Sequence, residues 1–315
     1  MKIIDHNMLQ KVGLAPQDAY KWAEEVIMQK EMAVLPPKIS MQQSNHVFYN
    51  VMPCILPGVD RMGVKIITRH PEKKSDPSLT SHIFLYELST GNLIAIMDGS
   101  YITAMRTGAV AAHSVLLFSN SDFRSVGIIG LGITATAVMD ILTAVMPKRE
   151  LEIHLFRYKK QAERFSRRYA HNQNLHFVYH DTPESVICSS EVIISCVTYA
   201  DQNLADITAY RPGCVVIPVH TMGFQNCDTT FDKVFVDDIG HVKHFRYFDQ
   251  FKSIAEVSAV VRGEAFGRQH KRERILVYNI GIALHDIYFA NKMLEQLPTA
   301  PDVDLCGPTE KMWLM

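Results

Sequence analysis

The chain has 315 residues, 47% of them hydrophobic and 21% charged, which is enough for about two ordinary globular domains and is not the balance of a disordered chain. Its formal net charge of −1 gives no bulk attraction to nucleic acid or to an anionic membrane, so neither is expected as a partner. It has no apolar run long enough to span a bilayer, no signal-like apolar core near its start, and six cysteines without CxxC or zinc-ligand spacing, so a soluble cytoplasmic protein with reduced thiols and no metal is expected.

Residues 16–34 have the spacing of an amphipathic helix with Pro16 in its first turn, stopped by Pro36 and Pro37. Five short alternating runs follow: KISMQ, HVFYNVMP, GVKIITRH, SHIFLYEL and NLIAIMDG. Each is bounded by turn formers, which predicts a sheet with tight turns and a hairpin at Thr90-Gly91-Asn92. A helical pattern runs from 103 to 118 and is broken by Asn120-Ser121-Asp122. From Val126 the style changes to buried apolar strands (VGIIG, LEIHLF, HFVYH, VIISCV, CVVIPV, KVFVDD) alternating with helices. That alternation predicts an α/β, doubly wound parallel sheet of Rossmann type beside a second α+β domain. A last helix is expected over 282–294, and the proline-containing tail from Pro298 is expected to be loosely ordered.

The strongest local signal is the turn after the first buried strand, where Gly130, Gly132 and Ala135 fit G-x-G-x-x-A. The first glycine makes the tight turn, the second lets backbone N–H groups approach a pyrophosphate, and the small third residue lets helix pack on strand. Leu131, Ile133 and Thr134 complete the cradle at the positive end of the following helix. A dinucleotide is therefore expected. At the end of the next strand, Phe156-Arg157-Tyr158-Lys159-Lys160 offers no carboxylate for a ribose 2′-hydroxyl. Arg157 can pair with a 2′-phosphate, so NADP(H) is expected to be preferred, with NAD(H) also accommodated; a solvated turn is the plain alternative.

Several segments, taken together and in order, resemble the ornithine cyclodeaminase/mu-crystallin family: VMP (51–53), GVKIITRHP (63–71), YELSTGNLIAIMDG (86–99), TAMRTGAVAA (103–112), the GLG turn, VDD (236–238) and NIGIALHD (279–286). The resemblance covers roughly residues 30 to 290. It implies a discontinuous substrate-binding and dimerisation domain (1–118 with 288–315), a nucleotide domain (119–287), a homodimer, and a small amino or imino acid lying between the domains. It also implies a carboxylate clamp made by Lys65 and Arg106, with Lys38 standing where many members have Arg. The residues agree, because Lys65 lies in an apolar strand and Arg106 in an apolar helix, where a charge is costly unless paired. A structural salt bridge would satisfy them equally. Thr107 and Gly108 are placed to let phosphate or nicotinamide approach, and Asp286 either sits beside the nicotinamide or serves the dipole of its helix.

One stretch departs from the family. Where cyclodeaminases carry an Asp that handles the distal amine, this chain has Met222, and Asp228 falls six residues later. Met222 is then expected only among the cofactor contacts, and simple hydride transfer survives better than ornithine cyclisation. The expected activity is NAD(P)H-dependent interconversion of an L-amino acid and its imine, with Lys65, Arg106 and His220 as catalytic candidates. For His220, packing or capping is the plain alternative. An ornithine cyclodeaminase, and a non-catalytic NADPH-dependent binding protein, are the competing readings. The aromatic and basic stretch 241–251 is expected either to cover the pocket or to pack on the surface.

Overall fold

The computed structural model describes residues 1–44, 47–71 and 79–305. The N-terminal half builds a six-stranded sheet from β1 (Lys2–Ile4), β2 (Ile39–Ser44), β3 (Val47–Leu56), β4 (Arg61–Arg69), β5 (Leu79–Glu87) and β6 (Leu93–Asp98), in the order β1-β6-β5-β4-β3-β2. Strands β2 to β6 form an antiparallel meander, and β1 joins β6 in parallel. The five alternating runs of the sequence are the five strands of this meander. Helices α1 (His6–Val12), α2 (Pro16–Ile27) and α3 (Ser100–Phe118) accompany this sheet.

The amphipathic helix ends at Ile27, earlier than its pattern suggests. Past it, Lys30 is drawn to Asp238 and Glu256 at 2.8 and 2.7 Å, and Val34 pairs with Ile55 of β3. Tertiary pairing wins over local helical periodicity there.

The second sheet has eight strands, all parallel, in the order β13-β12-β14-β11-β10-β7-β8-β9. These are β7 (Ser125–Ile129), β8 (Leu151–Phe156), β9 (Leu175–His180), β10 (Val192–Ser195), β11 (Val215–Pro218), β12 (Lys233–Val236), β13 (Ile254–Glu256) and β14 (Ile275–Tyr278). The central strands are apolar throughout because helices cover both faces. Two of the strands, β13 and β14, lie outside the expected apolar runs. Helix α4 (Ile133–Val145) follows β7, as the glycine turn requires. The chain reverses its direction of strand addition between β7 and β10, which opens a crevice at their C-terminal ends.

Two further helices join the halves. Helix α3 packs on α2, on α4 and on β5. The last helix, α10 (Ala283–Glu295), returns to the first sheet and packs on β3, β4, β5, α2 and α3, so the expected domain boundary at 287 falls inside it. α5 to α9 (Gln161–Arg168, Pro183–Ser189, Gln225–Asp228, Ile239–Val242, Val257–Val261) lie around the second sheet. The aromatic stretch 241–251 packs on this sheet through Phe245, Phe248 and Phe251 and does not line the cavity described below. Residues 301–305 of the tail run beside β1, where Val303 N–H donates to Met1; the tail beyond lies outside the described residues. No helix among the described residues is long and apolar enough to cross a membrane.

Candidate active site

At the crevice, Gly130 has φ +86°, and a Cβ there would stand 2.6 Å from the Cys196 carbonyl carbon, so only glycine lets β7 turn against β10. A Cβ on Gly132 would meet nothing within 4 Å; it would project into open space. Gly132 caps α4 without a side-chain hydrogen bond, leaving the first N–H groups of α4 for a ligand. The cleft they border, about 480 Å³, is lined by Gly130, Leu131 and Gly132, by Phe156, Tyr158 and Gln161, and by Cys196 to Tyr199 after β10. Bare backbone beside an uncapped helix start fits a dinucleotide diphosphate. Ile133 is largely exposed at the rim.

Arg157 stands outside that lining. Its guanidinium lies over the Tyr179 ring and makes exposed ion pairs with Glu163 (3.3 Å) and Asp181 (3.7 Å). Gly108 also departs from its expected role. A Cβ there would come within 2.7 Å of Ala137, so its bareness serves the close packing of α3 on α4 rather than a ligand.

A second cavity, about 240 Å³, lies between the first sheet and the C-terminal ends of the second. Lys65 and Ile67 of β4, Asn50 and Met52 of β3, and Arg106 and Thr107 of α3 line it, together with Lys38. From the nucleotide side come Thr134, Cys196 to Thr198, His220 and Asn279 to Gly281.

The cavity floor is a buried charge cluster. Lys65 is fully buried, with its Nζ 2.6 Å from Asp286 Oδ2. Arg106 Nε donates to Asp286 Oδ1 at 2.9 Å. Asp286 is completely enclosed behind the two cations, in the first turn of α10, and is not among the residues that line the cavity. Burial alone would raise its pKa, yet Arg106 and Lys65 outweigh burial and hold it below the usual carboxylate range. Burial, with repulsion from Arg106, pushes Lys65 down to about 7 despite Asp286. Lys38 is lowered as well, first by burial and then by Arg106.

The structural ion pair that the sequence left open is therefore present, but it does not neutralise the cluster. Lys38, Lys65 and Arg106 face two carboxylates, Asp286 and Asp237, and burial raises the pKa of Asp237. Asp237 accepts from Asn279 Nδ2 (3.0 Å) and Gly281 N–H (2.9 Å). Among the described residues the Arg106 Nη atoms have no carboxylate or carbonyl partner. A Cβ at Gly281 would crowd Arg106 Nη1 at 2.7 Å, so the bare backbone there leaves the guanidinium its place. The arrangement leaves guanidinium N–H donors of Arg106 and the amino groups of Lys38 and Lys65 facing the cavity, as an incoming carboxylate requires.

His220 closes the nucleotide side of the cavity. Its Nε2 lies 2.7 Å from Ser195 Oγ, and burial, partly offset by a backbone hydrogen bond with Met222, pushes its pKa down to about 4. Met222 is half-exposed on the outer wall. Asp228 is turned into the protein, where it accepts from the Tyr278 hydroxyl at 2.7 Å, so it does not reach the cavity in the place of the cyclodeaminase Asp. Sequence reasoning missed Asp237, Asn279 and the 196–198 segment as parts of the site; VDD and NIG were visible as family words but carried no assigned role.

Known proteins of similar sequence and shape agree with this architecture. The nodulation efficiency protein NfeD of Rhizobium meliloti is 28% identical over 269 residues, covering 82% of this chain and 83% of that protein. A Delta(1)-pyrroline-2-carboxylate reductase of Bacillus cereus is 24% identical over 269 residues, covering 78% of this chain and 80% of the reductase. The Thermococcus litoralis Delta(1)-pyrroline-2-carboxylate reductase, solved with NADH and L-proline, superposes with a TM-score of 0.81 at 22% identity, covering 94% of this chain and 97% of that one. The pattern of the ornithine cyclodeaminase/mu-crystallin family matches residues 6–299, and the chain belongs to that family.

Proposed function

We propose that the protein is an NAD(P)H-dependent oxidoreductase that interconverts an L-amino acid and its imine. The observation that carries this reading is the continuity of two sites. Cys196, Val197 and Thr198 line both the dinucleotide cleft and the cavity whose floor holds Lys65 and Arg106. Similarity to reductases of a cyclic imino acid supports the same chemistry.

A bound nicotinamide supplies or accepts the hydride. The residues of the chain position the other reactant. Arg106 offers its Nη atoms and Lys65 its ammonium to the substrate carboxylate, which fixes the α-carbon. In reduction the substrate nitrogen gains a proton, and Lys65, titrating at about 7, is its donor. His220, neutral above about 4, lines the cavity as a polar group rather than as a proton donor.

NADPH is the preferred reductant in this reading. No carboxylate stands at Phe156-Arg157-Tyr158, and the exposed pairs that hold Arg157 are worth only about 0–1 kcal/mol each, so a 2′-phosphate can exchange for them. The protein works as a homodimer, a state supported by apolar Ile39 and Met41 exposed on edge strand β2, and resides in the cytoplasm with its thiols reduced.

The test is a stoichiometry. Reduction of cyclic ketimines, or of 2-oxo acids with amines, is expected to consume one NADPH per product. Ammonia release from L-ornithine without net change in NADPH would establish the cyclodeaminase instead. Tight NADPH binding without turnover would leave a binding protein.

A further inference from the structure

The substrate cavity continues outward into a second chamber of about 370 Å³, with Phe48, Arg69, Thr198 and His220 lining both. The register of the sheet orders the wall between them. Lys65, Ile67 and Arg69 alternate on one face of β4 and all three line the inner cavity. Arg69 stands abreast of Phe48, which in turn faces Gln42 of β2, and these three line the outer chamber as well. Arg69 is half-buried, and among the described residues it makes no ion pair. Among the described residues neither chamber has an Asp or Glu in its lining. The wall therefore carries one cationic group where the α-carboxylate docks and a second four residues along the same strand, with no acid beside it among the described residues.

We infer that Arg69 is a specificity residue that reads a second carboxylate, so that the substrate is a dicarboxylic amino or imino acid. The inference rests on the proposed oxidoreductase reading and names the substrate class of that site. Four residues of strand separate the two cationic positions by about 13 Å between α-carbons. A five-carbon backbone with a charge-assisted hydrogen bond of about 2.8 Å at each end spans a distance of that order. A guanidinium on a half-buried wall pairs with a carboxylate in two parallel hydrogen bonds, and Gln42 beside it offers a further amide. A neutral side chain would leave Arg69 without a partner, and a basic one would be repelled by it.

The test compares matched substrates. NADPH oxidation is measured with 2-oxoglutarate plus ammonia and with 2-oxovalerate plus ammonia, for the wild type and for Arg69→Gln. The wild type is expected to favour the dicarboxylic substrate at least tenfold in kcat/KM, and Arg69→Gln to lower that ratio about thirtyfold or more. Because the ratio is read within one protein, a partial loss of folded enzyme does not affect it. A wild-type preference for the neutral substrate, or a ratio unchanged in Arg69→Gln, overturns the inference while leaving the oxidoreductase reading intact. If no substrate turns over, that reading fails. Calorimetric binding of L-glutamate against L-norvaline in the presence of NADP+, with the same variant, then decides the inference by the same ratio.

Discussion

The dinucleotide cleft is made of backbone, whereas the cavity floor facing it is made of side-chain charge. At Gly130 and Gly132 the chain removes atoms so that main-chain N–H groups and open space make the site. Across the shared Cys196–Thr198 segment, Lys65 and Arg106 are held against one enclosed carboxylate, Asp286, which lies 180 residues from Arg106 along the chain and farther from Lys65. The first kind of site costs little to maintain, because it uncovers no buried charge. The second is stable only while its members are present together, since a buried ion left alone is heavily penalised. Substitutions should therefore act differently on the two sides.

The largest effect is expected from Asp286→Ala. It leaves Lys65 and Arg106 buried without a counter-ion, and a loss of about 3–5 kcal/mol in unfolding free energy is predicted from denaturant titration, with turnover abolished. Arg106→Ala removes the carboxylate clamp and should lower kcat/KM by about tenfold to a hundredfold or more, at about 1.5–3 kcal/mol for each charged hydrogen bond lost. If either variant behaved like the wild type, the cavity floor would be a passive ion pair.

Gly132→Ala separates the two principles more sharply. Its Cβ would meet no protein atom, so stability is expected to stay within about 0.5 kcal/mol while dinucleotide affinity, read by fluorescence titration, falls. A fall in stability with unchanged affinity would deny the cradle.

The pH profile probes the charged side alone. With Lys65 pushed down to about 7, the free enzyme holds the proton needed for reduction below that value and loses it above. Reductive kcat/KM should therefore decline as pH rises through about 7, and Lys65→Arg, whose guanidinium stays protonated and does not release a proton to the substrate, should lose both that decline and most of the turnover. The smallest effect is expected from Arg157→Ala, a severalfold loss of preference for NADPH over NADH in KM, since Arg157 is exposed and already shares weak pairs.

The same contrast governs what could be read from the sequence. A backbone site leaves a local signature, and the spacing of Gly130, Gly132 and Ala135 between an apolar strand and an apolar helix was enough to locate the cleft. The five strands of the first meander and most of the second sheet were legible for the same reason, because period and turn residues are local. A charged site is assembled from distant segments. Lys65 and Arg106 stood out as ions in apolar runs, but nothing local told that Asp286 would lie behind them rather than beside a ligand. Gly108 misled in the opposite direction: its neighbour in α4, Ala137, is invisible until the helices pack. At Arg157, the position of a 2′-phosphate reader was local, but the pairs with Glu163 and Asp181 come from the next helix and the next strand's end.

The most direct measurement is a crystal structure of the protein with NADP+ and a bound L-amino acid. Lys65 Nζ and the Arg106 Nη atoms are predicted within about 3 Å of the ligand's α-carboxylate, on the wall facing the nicotinamide. An amino acid bound elsewhere, with both cations still satisfied by Asp286 alone, would contradict the account.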